Sequence, residues 1–527
     1  METEMKELAR RGWFKRFLDA VEWLGNLLPH PVSLFAILCF AVLLVSGLAG
    51  YFGLSVPDVR PSAAAGARIE AISLLNAEGL RRIVENLVTN FTGFVPLGTV
   101  LVALLGVGVA DKSGLLSAVV RSLVLRAPKQ LVTVAIVFAG VVSNTASEMG
   151  YVVLVPLAGV IFYGLGRHPL AGMAAAFAGV SGGYSANLLI GTVDPLLAGI
   201  TEAASQLIDP GYEVHAAINW YFMIASTFLV TLIGSLVTSF IVEPRLGAYD
   251  PANAQKGALS EAKLEPLNDS ERRGLLWAGV AVFIFSLILA ATVVPEGGVL
   301  RNPETGDVLR SPFLRGIVAL IFVFFLIPGV VYGKIVGTIN NDRDLIQAMA
   351  DTMESLGLYI VLVFFAAQFV AFFGWTNLGA ITAVTGAQTL QAIGLTGPLV
   401  FIPFIAMCSF INLMLGSASA QWAVTAPIFV PMLMLTGYSP EVIQAAYRIG
   451  DSTTNIITPM MSYFGLILAF ATRFDRKLGI GTLIATMLPY SICLWVGWVA
   501  LFFLWVFGLD LPVGPATETY YPAVNSP

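Results

Sequence analysis

Long apolar segments separated by short polar ones form the main pattern along the 527 residues of the chain. Several of these segments exceed the roughly 18 residues that a helix needs to cross a bilayer. With generous boundaries they lie near residues 32–54, 93–110, 131–166, 170–200, 218–242, 274–294, 315–338, 355–374, 397–436, 441–471 and 479–508. The pattern predicts an all-α polytopic membrane protein.

Two of the apolar segments are too long for one simple crossing. Segments 131–166 and 397–436 are each interrupted by polar residues, SNTASE at 143–148 and GSASAQ at 416–421. A helical hairpin that enters the membrane and turns back explains both interruptions. Because hydrocarbon cannot satisfy the free backbone groups of such a turn, both polar turns must be buried in protein or line a wet cavity. They therefore predict an internal aqueous cavity.

The chain contains an internal repeat. The string SANLLIG at 185–191 aligns with TTNIITP at 453–459 at a constant shift of 268 residues, which brings Asn187 onto Asn455. In each half the string follows one of the polar turns and an apolar helix opened by a proline. Discontinuous helices at corresponding positions of two halves are typical of secondary transporters, whose binding site lies near the membrane midplane between the repeats. We therefore predict such a transporter.

These features divide the chain into six parts. They are an N-terminal tail with an interfacial helix (1–30), scaffold helices (31–130), the first hairpin and broken helix (131–200), scaffold helices with a polar loop at 243–273 (201–396), the second hairpin and broken helix (397–471), and a last helix with the C-terminal tail (472–527). Basic residues in the tail and in the loop 243–273 predict that both lie in the cytoplasm. The loop 55–90 also carries four arginines, but its length and its four acidic residues favour an external domain.

Composition narrows the class of function. The chain is 57% hydrophobic and 12% charged, and its net charge of -5 comes without a basic stripe, which argues against nucleic-acid binding. The three cysteines lie within apolar segments and the three histidines at segment ends or in loops, without disulfide or metal-ligand spacing. A phosphate-binding loop is not present in the sequence. Transport would therefore have to be driven by an ion gradient.

Charged side chains inside the apolar segments mark the candidate site, because a charge at membrane depth is costly and usually faces a bundle interior or a cavity. They are Asp111, Glu148, Asp194, Arg448 and Asp451. Arg448 and Asp451 are three residues apart, which on a helix brings them within pairing distance. Two interpretations stay open. The pair holds the broken helix together, or Asp451 binds a proton or Na+ while Arg448 holds a substrate anion.

Oxygen ligands for a hard cation accompany the pair. Asp451 and Asn455 lie one turn apart, and helix breakers that include Pro459 would unwind the backbone and free carbonyl oxygens. The break near Asn187 would free carbonyl oxygens in the same way, although no acid corresponds to Asp451 there. Asp194 supplies a carboxylate seven residues after Asn187. Both broken helices are therefore candidates for cation binding.

The second hairpin carries groups suited to an aromatic ligand. Ser417, Ser419 and Gln421 offer hydrogen bonds, and the ring of Trp422 offers a stacking surface. Trp422 is equally compatible with a packing role, so both interpretations of this ring stay open.

Together these residues resemble the p-aminobenzoyl-glutamate transporter (AbgT) family of bacterial inner-membrane proteins, and the resemblance covers nearly the whole chain. Its most specific motifs are PLGTVLVALLGVGVADKSGLL at 96–116, SNTASEMGYVVLVPL at 143–157, SGGYSANLLIGTVDPLLAGI at 181–200, GSASAQWAVTAPIFVPM at 416–432 and YRIGDSTTNIITPMMSYF at 447–464. The resemblance implies a homodimer whose subunits each have about nine transmembrane helices and two re-entrant hairpins. It also implies an inverted repeat and a bowl that opens to the cytoplasm.

The resemblance further implies transport of p-aminobenzoyl-glutamate, proton-coupled export of sulfonamide antimetabolites, or both. It assigns roles to the motif positions Asp194, Ser419, Trp422, Pro440, Arg448, Asp451 and Pro459. Asp451 would be the coupling carboxylate, and Arg448 would regulate it or bind an anionic substrate. A cation site is implied around Asn412, Asp451 and Asn455, with Na+ or H+ as the coupling ion and no other cofactor.

Three alternatives remain. A sodium-coupled dicarboxylate transporter is favoured by SNTAS at 143–147, which is similar to the signature of those carriers, but the second hairpin reads GSASA instead. An intramembrane hydrolase using Ser417 or Ser419 would lack an activating base, because no histidine lies inside an apolar segment. A channel would conduct without a coupling ion, and the broken helices in both halves argue against it.

Overall fold

A computed structural model describes residues 29–60, 64, 66–146, 150–255, 266–308 and 311–521. The predicted interfacial helix in the tail 1–28 lies outside these residues, as do Glu148 and part of the loop 243–273. Within the described residues, eight helical stretches are long and apolar enough to cross a membrane. The number becomes nine if the helices Leu115–Leu125 and Lys129–Ser143, bent by 115° at their junction, form one span. The prediction of an all-α polytopic architecture is confirmed in this general form.

The longer helices follow one another along the whole described chain. They are α1 (Pro31–Tyr51), α2 (Ala77–Thr92), α3 (Val95–Lys112), α4 (Leu115–Leu125), α5 (Val132–Ser143), α6 (Val155–Gly164), α7 (Pro169–Phe177), α8 (Val193–Ser205), α9 (Trp220–Val237), α10 (Asp269–Val293), α11 (Ile317–Val336), α12 (Asp342–Ser355), α13 (Gly357–Trp375), α14 (Leu378–Ala392), α15 (Phe401–Leu415), α16 (Ala418–Met434), α17 (Pro440–Asn455), α18 (Phe464–Phe474) and α19 (Ile480–Phe502). Single-turn helices lie at Glu243–Leu246 and Pro312–Arg315, and wider π-helical turns at Gly150–Leu154, Ala178–Gly182, Thr238–Val242 and Phe503–Gly508.

One small sheet interrupts the helical pattern. Strands β1 (Ser55–Pro57) and β2 (Arg68–Glu70) pair antiparallel, with Val56 opposite Ile69. The sheet is tied to the junction between α13 and α14, where Asn377 donates to the carbonyl of Glu70 at 2.8 Å. The hydrophobic pattern did not predict this sheet, because three-residue strands are too short to show an alternation.

Close helix packing in the scaffold depends on glycine. Gly106 of α3 lies against the carbonyl of Phe322 in α11, where an added Cβ would approach the oxygen to 2.1 Å. An added Cβ at Gly329 of α11 would lie 2.9 Å from the backbone of Ala110. Small residues let the backbones of membrane helices approach each other in this way. We therefore interpret α3 and α11 as a rigid pair beside the functional region.

Both polar turns coincide with a break between helices. Helix α5 ends at Ser143 and continues as a 3-10 turn at Asn144–Ala146. Helix α15 ends at Leu415, where Gly416 has the left-handed φ of +57° before α16 begins. An added Cβ at Gly416 would lie within 3 Å of the backbone of Met460 and Met461, so a larger residue would not fit there.

The two proline-opened helices, α7 and α17, start at opposite ends of the molecule. Helix α9 and its π-helical extension span the distance between these ends. Asn219, just before α9, donates to the carbonyl of Glu441 at the start of α17. Glu243, just after the extension, pairs with Arg167 close to the start of α7. Helices α7 and α17 therefore run toward each other from the two ends.

The break after α7 meets the last turn of α17 in the interior. The backbone N–H of Ser185 donates to the hydroxyl of Ser452 at 3.1 Å, and both residues are buried. This contact joins the first repeat string to the residue just before the second, and it defines the centre of the candidate site.

Candidate transport site at the broken helices

Helix α17 is polar along one face and yet buried throughout. Every residue from Pro440 to Asn455 is buried. Glu441, Gln444, Arg448, Asp451 and Asn455 follow one another at spacings of three and four residues, which places them on one face. The helix begins with Pro440 at its first position, preceded by Ser439, whose hydroxyl accepts the backbone N–H of Val442 at 3.4 Å.

Arg448 forms an ion pair with Asp194 rather than with Asp451. Its Nη2 lies 2.5 Å from Oδ1 of Asp194, and the two side chains are only 3% and 4% exposed. The other carboxylate oxygen of Asp194 accepts the backbone N–H of Gly191 at 2.6 Å. The pair predicted from the i, i+3 spacing is therefore wrong for this structure. Arg448 joins the first broken helix to the second instead.

Asp451 has no hydrogen-bond donor. Its carboxylate lies beside Asn455, yet both oxygens are enclosed and accept no hydrogen bond. The amide of Asn412 donates to the backbone oxygen of Asp451 at 2.7 Å and to Oδ1 of Asn455 at 2.8 Å. Oδ1 of Asn412 is itself enclosed and unpaired. The structure thus brings together the three residues of the predicted cation site, with several oxygen acceptors and too few donors.

An enclosed acceptor without a partner is costly and therefore rare. A proton on Asp451 would turn one acceptor into a donor. A bound Na+ would satisfy several of the oxygens at once. The chemistry of this donor set fits a hard monovalent cation or a proton, and the nearby Arg448 forms its ion pair with Asp194 and not with Asp451.

Trp422 packs inside the protein in this conformation. Its ring is fully buried and stacks on Tyr447 at a centroid distance of 4.2 Å and an angle of 23°. Its indole N–H donates to the hydroxyl of Thr201 at 2.9 Å. The packing interpretation therefore describes this state. Ser417 and Ser419 at the hairpin tip are only half-buried.

The remaining predicted residues lie at the two breaks. Asn187 is buried, and its Oδ1 accepts the hydroxyl of Thr145 at 2.8 Å. Pro459 follows α17 in a non-helical stretch, next to Thr458, whose hydroxyl donates to the carbonyl of Leu413 at 2.8 Å. Both breaks are therefore attached to the polar turn of their own half.

A cavity of about 790 Å³ opens beside the first turn of α17. Its lining is predominantly acidic, with Glu202, Asp209, Glu213, Glu441 and Glu518 facing one arginine, Arg315, and one histidine, His215. Burial lowers the pKa of His215 below its usual range, although the hydrogen bond with the carbonyl of Pro515 opposes this shift. His215 is therefore neutral near pH 7 and does not offset the acidic groups.

A buried hydrogen-bonded chain leads from this cavity toward the centre. Both carboxylate oxygens of Glu441 accept the hydroxyl of Tyr212, at 3.0 and 2.9 Å. Asn219 accepts the amide of Gln444 at 2.8 Å, and Gln444 in turn accepts the hydroxyl of Thr201. The sequence did not identify Thr201, Asn219 or Gln444, since isolated polar residues in apolar segments give no local signal.

Gly450 controls the distance between α17 and α15, which carry Asp451 and Asn412. A Cβ at Gly450 would lie 2.6 Å from Cβ of Cys408 and 2.7 Å from the carbonyl of Ile405. We expect Gly450→Ala to destabilise the protein by about 1 to 3 kcal/mol, because this overpacking exceeds the gain in helix propensity of about 1 kcal/mol. Thermal unfolding in detergent measures the change.

Gly465→Ala in α18 is the matched control for this prediction. Nothing lies within 4 Å of a Cβ at Gly465, so alanine there should be neutral or stabilising. Equal melting temperatures for the two variants would contradict the close contact at Gly450.

Comparison with known proteins relates the whole chain to one family. Residues 16–521 match the model of the AbgT transporter family. The chain is 37% identical over 505 residues to the p-aminobenzoyl-glutamate transport protein of Escherichia coli strain K12, and this alignment covers 96% of each protein.

Two solved structures are similar along nearly the full length. The YdaH transporter of Alcanivorax borkumensis, whose crystal structure has an unusual topology, superposes with a TM-score of 0.86 at 47% identity, over 92% of this chain and 100% of that chain. MtrF of Neisseria gonorrhoeae, whose structure illuminates a class of antimetabolite efflux pumps, superposes with a TM-score of 0.89 at 59% identity, over 95% and 100% of the two chains.

Proposed function

Because the chain belongs to the AbgT family of multi-pass membrane transporters, we propose that it is a secondary transporter of aromatic, folate-related compounds driven by an ion gradient. The proposed activity is proton-coupled export of sulfonamide antimetabolites, with p-aminobenzoyl-glutamate as a further substrate. A p-aminobenzoyl-glutamate transport protein and a member of a class of antimetabolite efflux pumps are among the relatives, and they support this choice of substrate class. The proposal of ion coupling rests on one observation: the Asp451 carboxylate is enclosed and accepts no hydrogen bond.

The proposed coupling step is the binding of a proton or Na+ at Asp451. The side chains of Asn412 and Asn455 would complete the cation site, since the Asn412 amide nitrogen contacts the Asp451 backbone oxygen and Asn455 lies beside the Asp451 carboxylate. Adding one positive charge cancels the charge of the carboxylate, which removes the main cost of enclosing it in a low-dielectric interior. Loading and unloading of Asp451 would thus bias the position of α17.

The proposed substrate contact is Arg448. Its guanidinium is held by Asp194, and its Nε is enclosed without a partner. An anionic group of a substrate could compete with Asp194 for this guanidinium, whose planar donors suit a carboxylate. The aromatic part of the substrate would then lie toward Trp422 and the half-buried Ser417 and Ser419, once the second hairpin moves.

We further propose an inverted repeat as the basis of alternating access. Helices α7 and α17 start at opposite ends of the molecule, and the break after α7 meets the last turn of α17 through Ser185 and Ser452. Rocking of one half against the other around such a contact exposes a central site to each side in turn. The two hairpins would re-enter the membrane from opposite faces, and a bowl would open to the cytoplasm.

Orientation and assembly are part of the same proposal. The basic residues of the N-terminal tail and of the loop 243–273 support a cytoplasmic N-terminus in the bacterial inner membrane. The acidic cavity would then face the outside. Family membership supports a homodimer, and cysteine crosslinking in native membranes tests it.

Transport into proteoliposomes tests the proposed function. Purified protein is reconstituted, and labelled sulfonamide and p-aminobenzoyl-glutamate are followed under an imposed pH gradient and, separately, a Na+ gradient. We expect the pH gradient alone to drive sulfonamide against the proton flow. Transport of succinate with Na+, and of neither aromatic compound, would replace the proposal with a dicarboxylate symporter. Flux that ignores both gradients would indicate a channel.

A further inference from the structure

Like the second half of the repeat, the first half contains buried polar atoms that have no hydrogen-bond partner. The side-chain oxygen of Asn144 and the hydroxyl of Ser185 are enclosed and make no hydrogen bond. Asn144 is 6% exposed and Ser185 is 2% exposed. Buried polar atoms almost always have a partner, so two orphans in one region point to a bound water or ion.

The shift of 268 residues relates these atoms to the site at Asp451. It brings Asn144 onto Asn412 and Gly183 onto Asp451. In both halves the asparagine amide donates to the backbone oxygen of the related residue, at 3.2 Å to Gly183 and at 2.7 Å to Asp451. In both halves the Oδ1 of that asparagine is enclosed and unpaired. The two halves therefore present the same side chain in the same backbone setting.

The first half differs from the second by the absence of an acid. Gly183 occupies the position of Asp451, so the available ligands are neutral oxygens. Asn187 is close by, and its Oδ1 already accepts the hydroxyl of Thr145, the neighbour of Asn144, and the backbone N–H groups of Leu188 and Leu189, so it supports the turn and is not a free ligand. Residues between the π-helical turn Ala178–Gly182 and α8 are not helical, which frees backbone carbonyls. Unwound carbonyls and neutral side-chain oxygens are the ligands with which transporters of this kind coordinate Na+.

We propose that the first half holds a second Na+ site, formed by Asn144 Oδ1 and Ser185 Oγ together with carbonyls of the unwound segment. The proposal rests on the transport function given above and adds a second coupling ion to it. Its side-chain ligands both belong to the first half, so the site does not need the Asp451 carboxylate, although the backbone N–H of Ser185 contacts Ser452 of the second half.

The proposed ion would act on the Asp194–Arg448 pair. A Cβ on Gly191 would lie 3.1 Å from the carbonyl oxygen of Asn144, and the N–H of Gly191 donates to Asp194 at 2.6 Å. The backbone of Asn144 therefore adjoins the segment that holds Asp194, so a cation bound beside Asn144 would lie near this carboxylate. Its field competes with Arg448 for the carboxylate and makes the guanidinium available to a substrate anion.

Sodium-dependent stabilisation of the purified full-length protein tests this site. The melting temperature is recorded against NaCl at constant ionic strength, with choline chloride as the replacement salt. A ligand that binds the folded state raises the melting temperature with its concentration. The variant Asp451→Asn removes the acidic site, so any remaining response to Na+ reports on the first half.

Ser185→Ala in the Asp451→Asn background is the decisive comparison. We expect Asp451→Asn to keep a Na+ response, and Ser185→Ala to shift the half-maximal Na+ concentration upward by at least about tenfold, as loss of a ligand or its support does. Without Na+ the melting temperature should not fall, because the Ser185 hydroxyl makes no hydrogen bond that could be lost. Ser205→Ala is the control. Its buried hydroxyl donates to the carbonyl of Glu202 in its own helix, so this variant should retain the response.

The other outcomes separate this site from the proposed transport function. If Asp451→Asn abolishes the whole Na+ response, the orphaned atoms of the first half hold water and the site proposed here is refuted, while coupling at Asp451 stands. If the remaining response survives Ser185→Ala and also Asn144→Ala, the second ion binds elsewhere and the assignment is refuted. If the parent protein shows no Na+ response, both Na+ sites are refuted and proton-coupled transport alone is left to be judged by the liposome assay.

Discussion

Replacing Asp451 by asparagine is expected to reduce gradient-driven transport to the level of protein-free liposomes, while the protein stays folded. Asparagine has the same shape but cannot take up a proton, and it offers no negative charge to Na+. The fold should tolerate it, because neither oxygen of Asp451 accepts a hydrogen bond that would be lost.

The measurement follows sulfonamide movement under a pH gradient alongside the elution profile and melting temperature in detergent. Asp351→Asn is the control, since this carboxylate lies near the surface in a loose pair with Lys112 at 3.8 Å. It should transport like the parent. A folded Asp451→Asn protein with normal gradient-driven transport would show that the coupling ion does not bind at this carboxylate.

Removing either partner of the Arg448–Asp194 pair is expected to have the largest effect on stability. Arg448→Ala leaves a carboxylate enclosed without its counter-charge, and breaking a buried pair in this way costs about 3 to 5 kcal/mol. Asp194→Ala has the same consequence for the guanidinium. The double variant Arg448→Gln with Asp194→Asn replaces the two charges by a neutral donor and acceptor. It should recover most of the loss.

A double-mutant cycle of melting temperatures in detergent measures this coupling. The exposed pair between Arg315 and Glu213, at 67% and 73% exposure, is the comparison, and Arg315→Gln should cost less than about 1 kcal/mol. If the effects at Arg448 and Asp194 are simply additive, the pair does not hold the two broken helices together. Asp194 would then not compete with a substrate anion for Arg448.

The sequence predicted the membrane architecture well because hydrophobic length is a local property. The breaks after Ser143 and Leu415 coincide with the polar strings, since a turn without helical hydrogen bonds needs polar neighbours. Asn412, Asp451 and Asn455 lie in contact, as the family resemblance implied, whereas their role in cation binding stays a prediction. The short strands β1 and β2 were missed because nothing in three residues distinguishes them from a loop.

The expected pairing of Arg448 with Asp451 was wrong because Arg448 contacts a residue that is distant in the sequence. Arg448 and Asp451 are three residues apart, and spacing alone made them partners, whereas Asp194 lies 254 residues away. Only the fold brings Asp194 to the same place. Asn144 was overlooked for a related reason. The repeat was visible at 185–191, but its extension back to Asn144 depends on one conserved spacing rather than on a similar string.

The acidic cavity affects how fast substrate can return through the exporter proposed above. If it faces the outside, a folate-like anion that has left the protein meets the negative field of Glu202, Glu213 and Glu518 when it returns. The ratio of concentrations at equilibrium is fixed by the driving gradient and cannot change. What changes is the outside concentration needed to half-saturate the carrier, which rises. The acidic cavity therefore slows the return of exported substrate through the protein while the ion gradient lasts.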